Sequence, residues 1–445
     1  MSRDRLPILL LVVALLASAG LHGYRAEHPT TSYQSADERS YGKLAVNISE
    51  HQHYGGDGMR DPLHWPPGAP MLFAAAHTLA PDADSLKTYE VPAAYWAQAL
   101  VSLASAILAA LLAGLLAGRW AACLAGAVVG LYPPLILATG EQTSEPLGAM
   151  LVVAGFLVFT LALKQRRWWL FAAAGVVLGG AVLTRADLLF TPPLLALLLF
   201  VWGWRRGGEP RTALGFAAAL AVGFGLTLLP WTIYASREAG ELVPVTRGSS
   251  SALFVGTYLP GHGNTVGMKR DLMEETWARY PKLRGTPGFE LPASLVLKTV
   301  AARHPDLPTD QAVAKEGRKN LVRYGLKDPI DFAAMMADKG IQRMWSRYAR
   351  GGARPTSPWI RGGHILIVLL AFSGLLLGAL RCRSLPIAAV LLAVLVATGL
   401  HAILVSQARY NLPLMPALVA AGTAGWFLWR TRWLIPRPRG PGSRR

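Results

Sequence analysis

Ten runs of apolar residues, interrupted by short polar turns, organise most of the chain. They fall at about 6–23, 91–117, 120–138, 146–163, 168–184, 188–204, 212–234, 362–380, 385–405 and 411–429. Crossing a hydrocarbon layer of about 30 Å takes roughly 20 helical residues, and most of these runs are that long. Helix is the expected conformation, because a segment in lipid must satisfy its own backbone polar groups. The first run has a basic start (Arg3, Arg5) and the small residues "ASAG" at 17–20, as a cleaved signal would. Nine further runs follow, so it reads as an uncleaved anchor.

Two polar stretches are long enough to fold outside the membrane, residues 24–90 and 235–361. They divide the chain into an N-terminal transmembrane module (1–234, with its first loop at 24–90), an outer segment (235–361) and C-terminal helices with a basic tail (362–445). In the first loop Tyr41, Leu44, Ala45 and Ile48 recur at helical spacing, and Ser35 with Glu38 forms a capping-box pattern. A surface helix over about 36–51 is expected, its apolar face on the membrane. Residues 241–246 and 252–257 read as strands, 268–280 and 309–325 as soluble helices, and 328–350 as an amphipathic interfacial helix. The fold class read from this is an all-α polytopic membrane protein with about ten transmembrane helices, extracytoplasmic loops and a mixed α/β outer segment.

Composition agrees: 52% of the 445 residues are hydrophobic and only 16% charged. A net charge of +18 suggests nucleic acid until it is mapped onto the turns. With the N-terminus inside and the runs alternating, inner segments hold 17 basic and 2 acidic residues against 27 and 24 outside. That is the positive-inside bias, so no nucleic-acid partner is needed. Cys123 and Cys382 lie at a membrane edge and in an inner turn, which excludes a disulfide framework outside and a thiolate metal cluster.

Ionisable residues gather at the outer ends of the runs. Asp37 and Glu38 follow the first; His64 and Trp65 precede a second surface helix starting at "PPGAP"; Glu141 and Glu145 join the third run to the fourth. Arg185 and Asp187 join the fifth to the sixth, and Arg409 and Tyr410 open the tenth. Charges at span edges avoid most of the insertion penalty, and their grouping at one face of a bundle marks a site. Asp37 lies one turn before Tyr41 on the same helix face. The arginines with Asp187 also fit local ion pairs. Asp37, Glu38, Asp57 and Glu145 could supply oxygen ligands to a divalent cation, though their spacing shows no such site.

The segments "ADERSYGKLA", "HWPPGAP", "SEPLG", "LTRADLLF", "LPWTIYASREAG" and "ARYNLPLMPAL" occur in an order that resembles GT-C glycosyltransferases of the protein-mannosyltransferase and aminoarabinose-transferase kind, family 39-like. The resemblance implies an inverting transferase that moves a sugar from a polyprenyl-phosphate donor to a carbohydrate, lipid or protein acceptor. It implies a prokaryotic cytoplasmic membrane with the site facing outward, among membrane lipids. Asp37 would be the catalytic base, with Glu38 its neighbour. Arg185, Arg409 and His64 would offset charge on the departing phosphate, and Tyr41, Trp65, Glu145 and Tyr410 would line the substrate. Two positions depart from the aminoarabinose branch: Trp65, preceded by His64, stands where that branch has a lysine, and Ser40 where it has an arginine, with Arg39 one place earlier. An oligosaccharide ligase or polymerase shares the outward site. A lipid transporter would need broken helices and mid-span charges, which the pattern does not suggest.

Overall fold

A computed structural model of the chain describes residues 5–30, 36–56, 58–59, 61–205, 209–346 and 357–434. Ser35 and Asp57, invoked above as a helix cap and a possible ligand, lie outside them. All ten apolar runs are helical. Among the described residues, eight helices are long and apolar enough to cross a membrane. The fifth run is a helix of 17 residues, Trp168–Thr184, below the length of a full span. The third is broken into Arg119–Gly130 and Pro133–Thr139, bent by 49°. Pro133 and Pro134 explain the break, since neither has an N–H to donate and Tyr132 before them is forced into an extended conformation. The expectation of unbroken spans is corrected here.

Four helices are used below. We label them α1 (Ala36–His51), α2 (Trp168–Thr184), α3 (Pro210–Ala239) and α4 (Leu385–Ile403). Small residues bring the membrane helices into close contact, as expected where lipid gives no hydrophobic drive to associate. A Cβ on Gly175 of α2 would collide with the Leu220 carbonyl of α3, and one on Gly223 with the Ala172 carbonyl, so the two backbones touch face to face.

The helix over 36–51 forms as its spacing predicts, but its apolar face is turned to protein rather than membrane. Tyr41, Leu44 and Ala45 are buried against Phe73, Ala74 and the end of α3 at Trp231 and Ala235. The outer segment has no strand among the described residues, which corrects the mixed α/β reading. Residues 249–257 are helical and bury Phe254 and Val255 in a small core with Met268, Val296, Val300 and Val313. Residues 241–247 form an irregular strap, neither helix nor strand, that is held mainly by side chains. Thr232 and Trp231 donate to the Pro244 and Val245 carbonyls (2.7 and 2.6 Å), Ser236 accepts from the Val243 amide, and the Arg247 amide donates to Leu63 (2.9 Å). This strap is thereby tied to the end of α3 and to the first loop. The 328–350 stretch begins as a helix, Pro329–Ala337, and continues as a π-helical turn to Arg343; residues 347–350 are outside the described set. Its apolar residues divide: Met335, Met344 and Trp345 are buried in the protein, while Ile330 and Ile341 are exposed. The buried Lys339 ammonium in that turn donates to the carbonyls of Gly256, Ile403 (3.2 Å) and Leu404 (3.0 Å), joining the outer segment to the end of α4.

Candidate active site

A cavity of about 580 Å³ lies at the end of the bundle where the first loop, the 141–145 and 184–190 turns, the strap and the 400–410 turn converge. These are alternate connections along the chain, so they meet on one face of the membrane module. Eight of the nine residues picked out by sequence line it: Asp37, Tyr41, His64, Trp65, Glu145, Arg185, Arg409 and Tyr410. Glu38 does not. Successive helical residues diverge by about 100°, so the acid next to Asp37 is turned into the protein, where it is buried near Tyr95. Arg39 lies over the Tyr89 ring and is exposed, away from the cavity.

The charged groups form a ladder of alternating sign. Asp37 pairs with Arg409, whose Nε is also 3.6 Å from Glu145. Glu145 in turn takes the Arg185 guanidinium at 3.0 Å, and Arg185 holds Asp187 through two hydrogen bonds, 2.9 and 3.2 Å. The far end is His401, 3.1 Å from Asp187. Both guanidiniums lie over the Tyr410 ring, and the His401 ring stands 4.7 Å from it. Sequence reading grouped Asp187 with Arg185 but gave it no role in the site, and it did not name His401. Asp187 passes as a local partner of Arg185, which it is, and His401 is the single ionisable residue in an apolar run.

Asp37 is held from the other side by Trp65, whose indole N–H donates to it at 3.3 Å. Burial raises the carboxyl's pKa, but the charge of Arg409, hydrogen bonds from Arg409 and Trp65, and the nearby His64 outweigh it. The group therefore sits below its ordinary value. His64 is exposed at the rim, its ring against Trp65 and against the backbone of Gly248. Gly248 has φ +90°, a conformation that a side chain resists, and a Cβ there would collide with the imidazole. The buried Glu145 Oε2 has no hydrogen-bond partner among the described residues. The same cavity is lined by apolar side chains: Leu189, Phe190, Leu400, Leu404 and Val405. Phe190 is half exposed. Asp37, Glu145 and Asp187 each hold a cationic side chain, and the described residues contain no group of three His, Cys, Asp or Glu able to hold a metal ion.

A match to known proteins follows the same lines. Residues 66–231 match the family model of dolichyl-phosphate-mannose-protein mannosyltransferases, a stretch that reaches neither Asp37 nor Arg409. The oligosaccharyltransferase AglB from Archaeoglobus fulgidus, solved with an inhibitory peptide and a dolichol-phosphate, superposes over 97% of this chain at 15% identity with a TM-score of 0.55. The chain has a GT-C fold. The chain spans about half the length of that oligosaccharyltransferase, 52% of it. A second structure of the Archaeoglobus fulgidus enzyme, tethered to an acceptor peptide containing the NVT sequon, gives the same TM-score, 0.55, at 15% identity, covering 96% of this chain and 49% of its own. ArnT from Cupriavidus metallidurans bound to undecaprenyl phosphate is a looser likeness, with a TM-score of 0.41 at 16% identity over 96% of this chain and 79% of its own. No curated protein matches. The alternating apolar runs place this chain in a membrane, with the ladder at one end of its helices.

Proposed function

We propose that this chain is an inverting glycosyltransferase. It takes a sugar from a polyprenyl-phosphate donor and passes it to an acceptor hydroxyl outside the cytoplasm, with Asp37 as general base. The observation that carries this reading is the mixed lining of one cavity: a ladder of paired charges together with the apolar side chains of Leu189, Phe190, Leu400 and Leu404. A lipid-linked phosphate has the same two parts. The shared fold with an oligosaccharyltransferase captured with dolichol-phosphate supports the same class of donor.

The donor's isoprenoid runs over these apolar side chains and its phosphate approaches Arg409 and Arg185. A phosphodiester oxygen competes with Asp37 for the Arg409 guanidinium, which carries donors for both. As Arg409 turns to the phosphate, Asp37 loses the partner that depresses its pKa and becomes a stronger base. It then takes the acceptor's proton as the hydroxyl oxygen bonds to the anomeric carbon. The bond from that carbon to the phosphate oxygen breaks, and the electron pair leaves on the lipid phosphate, where Arg185 and Arg409 offset the charge. Attack from the face opposite the phosphate inverts the anomeric centre. Glu145 stays buried as the shared counter-charge of Arg185 and Arg409, and His64 with Trp65 closes the rim.

The test is transfer by purified chain in lipid nanodiscs from a panel of polyprenyl-phosphate monosaccharides, with the product's anomeric configuration read by NMR. Transfer with inversion from a lipid-linked sugar is expected. Transfer from nucleotide sugars instead, or retention of configuration, would refute the reading.

A further inference from the structure

His401 sits at the outer end of α4, almost wholly buried, and both of its ring nitrogens face acceptors. Nε2 is 3.1 Å from a carboxylate oxygen of Asp187, and Nδ1 is 3.2 Å from the Val405 carbonyl. Asp187 is ionised, since it also takes two hydrogen bonds from Arg185. Neither partner can donate. A neutral imidazole has one N–H and one lone pair, so in either tautomer a lone pair would face an oxygen. Only the imidazolium satisfies both contacts. We infer that His401 is held as a cation and is the third positive charge of the donor site.

Its consequence lies in the charge of the ladder. Asp37, Glu145 and Asp187 bring three negative charges, and Arg409 and Arg185 two positive ones. With a neutral His401 the chain of linked groups carries a net negative charge, which opposes an incoming phosphate. With the imidazolium it is neutral. Both N–H groups are occupied within the protein, so His401 does not grip the phosphate itself; it acts through Asp187, sharing that carboxylate with Arg185. The charged and titratable groups around it are Asp187 and Arg185 beyond the end of α2, Arg409 and Tyr410 in the following turn, and the Lys339 ammonium on the carbonyls of Ile403 and Leu404. Of these groups Lys339 also lies close to neutrality, since burial lowers its ammonium to about 7, so the part played by His401 is the pH dependence that His401→Gln removes. Donor affinity therefore depends on His401 keeping its proton.

The protonation state is read first, by nitrogen NMR of the full chain in nanodiscs with isotope-labelled histidine, the His401 signals assigned by their loss in His401→Gln. Two protonated ring nitrogens are expected near neutral pH, and one would overturn the inference whatever the protein's activity. Binding of a polyprenyl phosphodiester sugar, which has no titration of its own in this range, is then measured from about pH 6 to about pH 8.5. Wild-type affinity should fall about tenfold or more as the imidazolium is lost, while His401→Gln binds weakly and without that slope. A flat wild-type profile, or an unchanged slope in His401→Gln, would overturn the charge-balancing role. This second arm rests on the proposed donor: failure to bind at any pH would sink that reading and the role with it, leaving the NMR result as it stands.

Discussion

Replacing Asp37 with Asn separates the base from the scaffold. The amide has the carboxylate's shape and still offers an oxygen to the Trp65 indole, so the first loop keeps its hydrogen bond to the cavity. What is lost is the negative charge. A general base contributes about 10²- to 10⁴-fold in rate, or about 3–6 kcal/mol of barrier at roughly 1.4 kcal/mol per factor of ten. The ion pair to Arg409 is worth less to the fold. The Asp37 side chain is 34% exposed and that of Arg409 22%, and solvent screening holds such a pair to about 1 kcal/mol. Donor binding should not suffer, because Arg409 is freed for the phosphate. The expected signature in a steady-state transfer assay is kcat lower by about 10²-fold or more, a donor KM unchanged or reduced, and a melting temperature within a few degrees of wild type. A variant with near wild-type kcat, or one with raised KM and normal kcat, would refute the assignment of Asp37 as base.

Glu145→Gln should destabilise the protein by about 3 kcal/mol or more, since the buried carboxylate between Arg185 and Arg409 is their shared counter-charge; an unchanged thermal midpoint would contradict the ladder. Gly248→Ala should lower transfer, because it adds strain at φ +90° and displaces the His64 ring, whereas Gly240→Ala, at φ +67° with open space around it, should cost only the strain of about 1 kcal/mol; equal effects on transfer would remove Gly248 and His64 from the site. The depressed Asp37 pKa fixes the sign of the acid limb. In the donor-free protein the carboxylate is ionised above its lowered value, so both its activity as a base and its contribution to stability are present above the unfolded value of about 3.9 and are lost only as pH falls through the folded one. In pH profiles of kcat/KM and unfolding, Arg409→Gln should move that limb upward, and an unmoved limb would show that Arg409 does not set it.

Periodicity made the membrane helices and the helix bearing Asp37 legible, because burial in lipid or protein selects for the same spacing. It could not say which of the two the Tyr41–Leu44–Ala45 face meets, and the answer is protein. Most of the site was legible for another reason: charged residues at span ends are costly unless they face something polar, so Arg185, Glu145 and Arg409 pointed to one place. Glu38 misled because adjacency in sequence is divergence on a helix. The residues 252–257 misled because a short apolar run fits strand or buried helix equally. Here Gly248 and three serines start a helix that packs into the outer core. His401 was out of reach, since its partner Asp187 is 214 positions away and nothing local marks the pairing.

The arrangement of the ladder makes Asp37 the carboxylate a phosphate can displace. Glu145 lies between two guanidiniums, and Asp187 between Arg185 and His401, so stripping one cation from either leaves the other in place. Asp37 stands at the end with one cation, Arg409, and an indole N–H. It is also the most exposed of the three. A donor phosphate drawing on Arg409 therefore takes most from Asp37, raising the basicity of the one group that must accept a proton, and only when the leaving group is seated. Departure of the lipid phosphate returns Arg409 to Asp37 and weakens the base again. Base strength and donor occupancy are thus coupled through a single guanidinium, which disfavours proton abstraction from an acceptor that arrives before its donor.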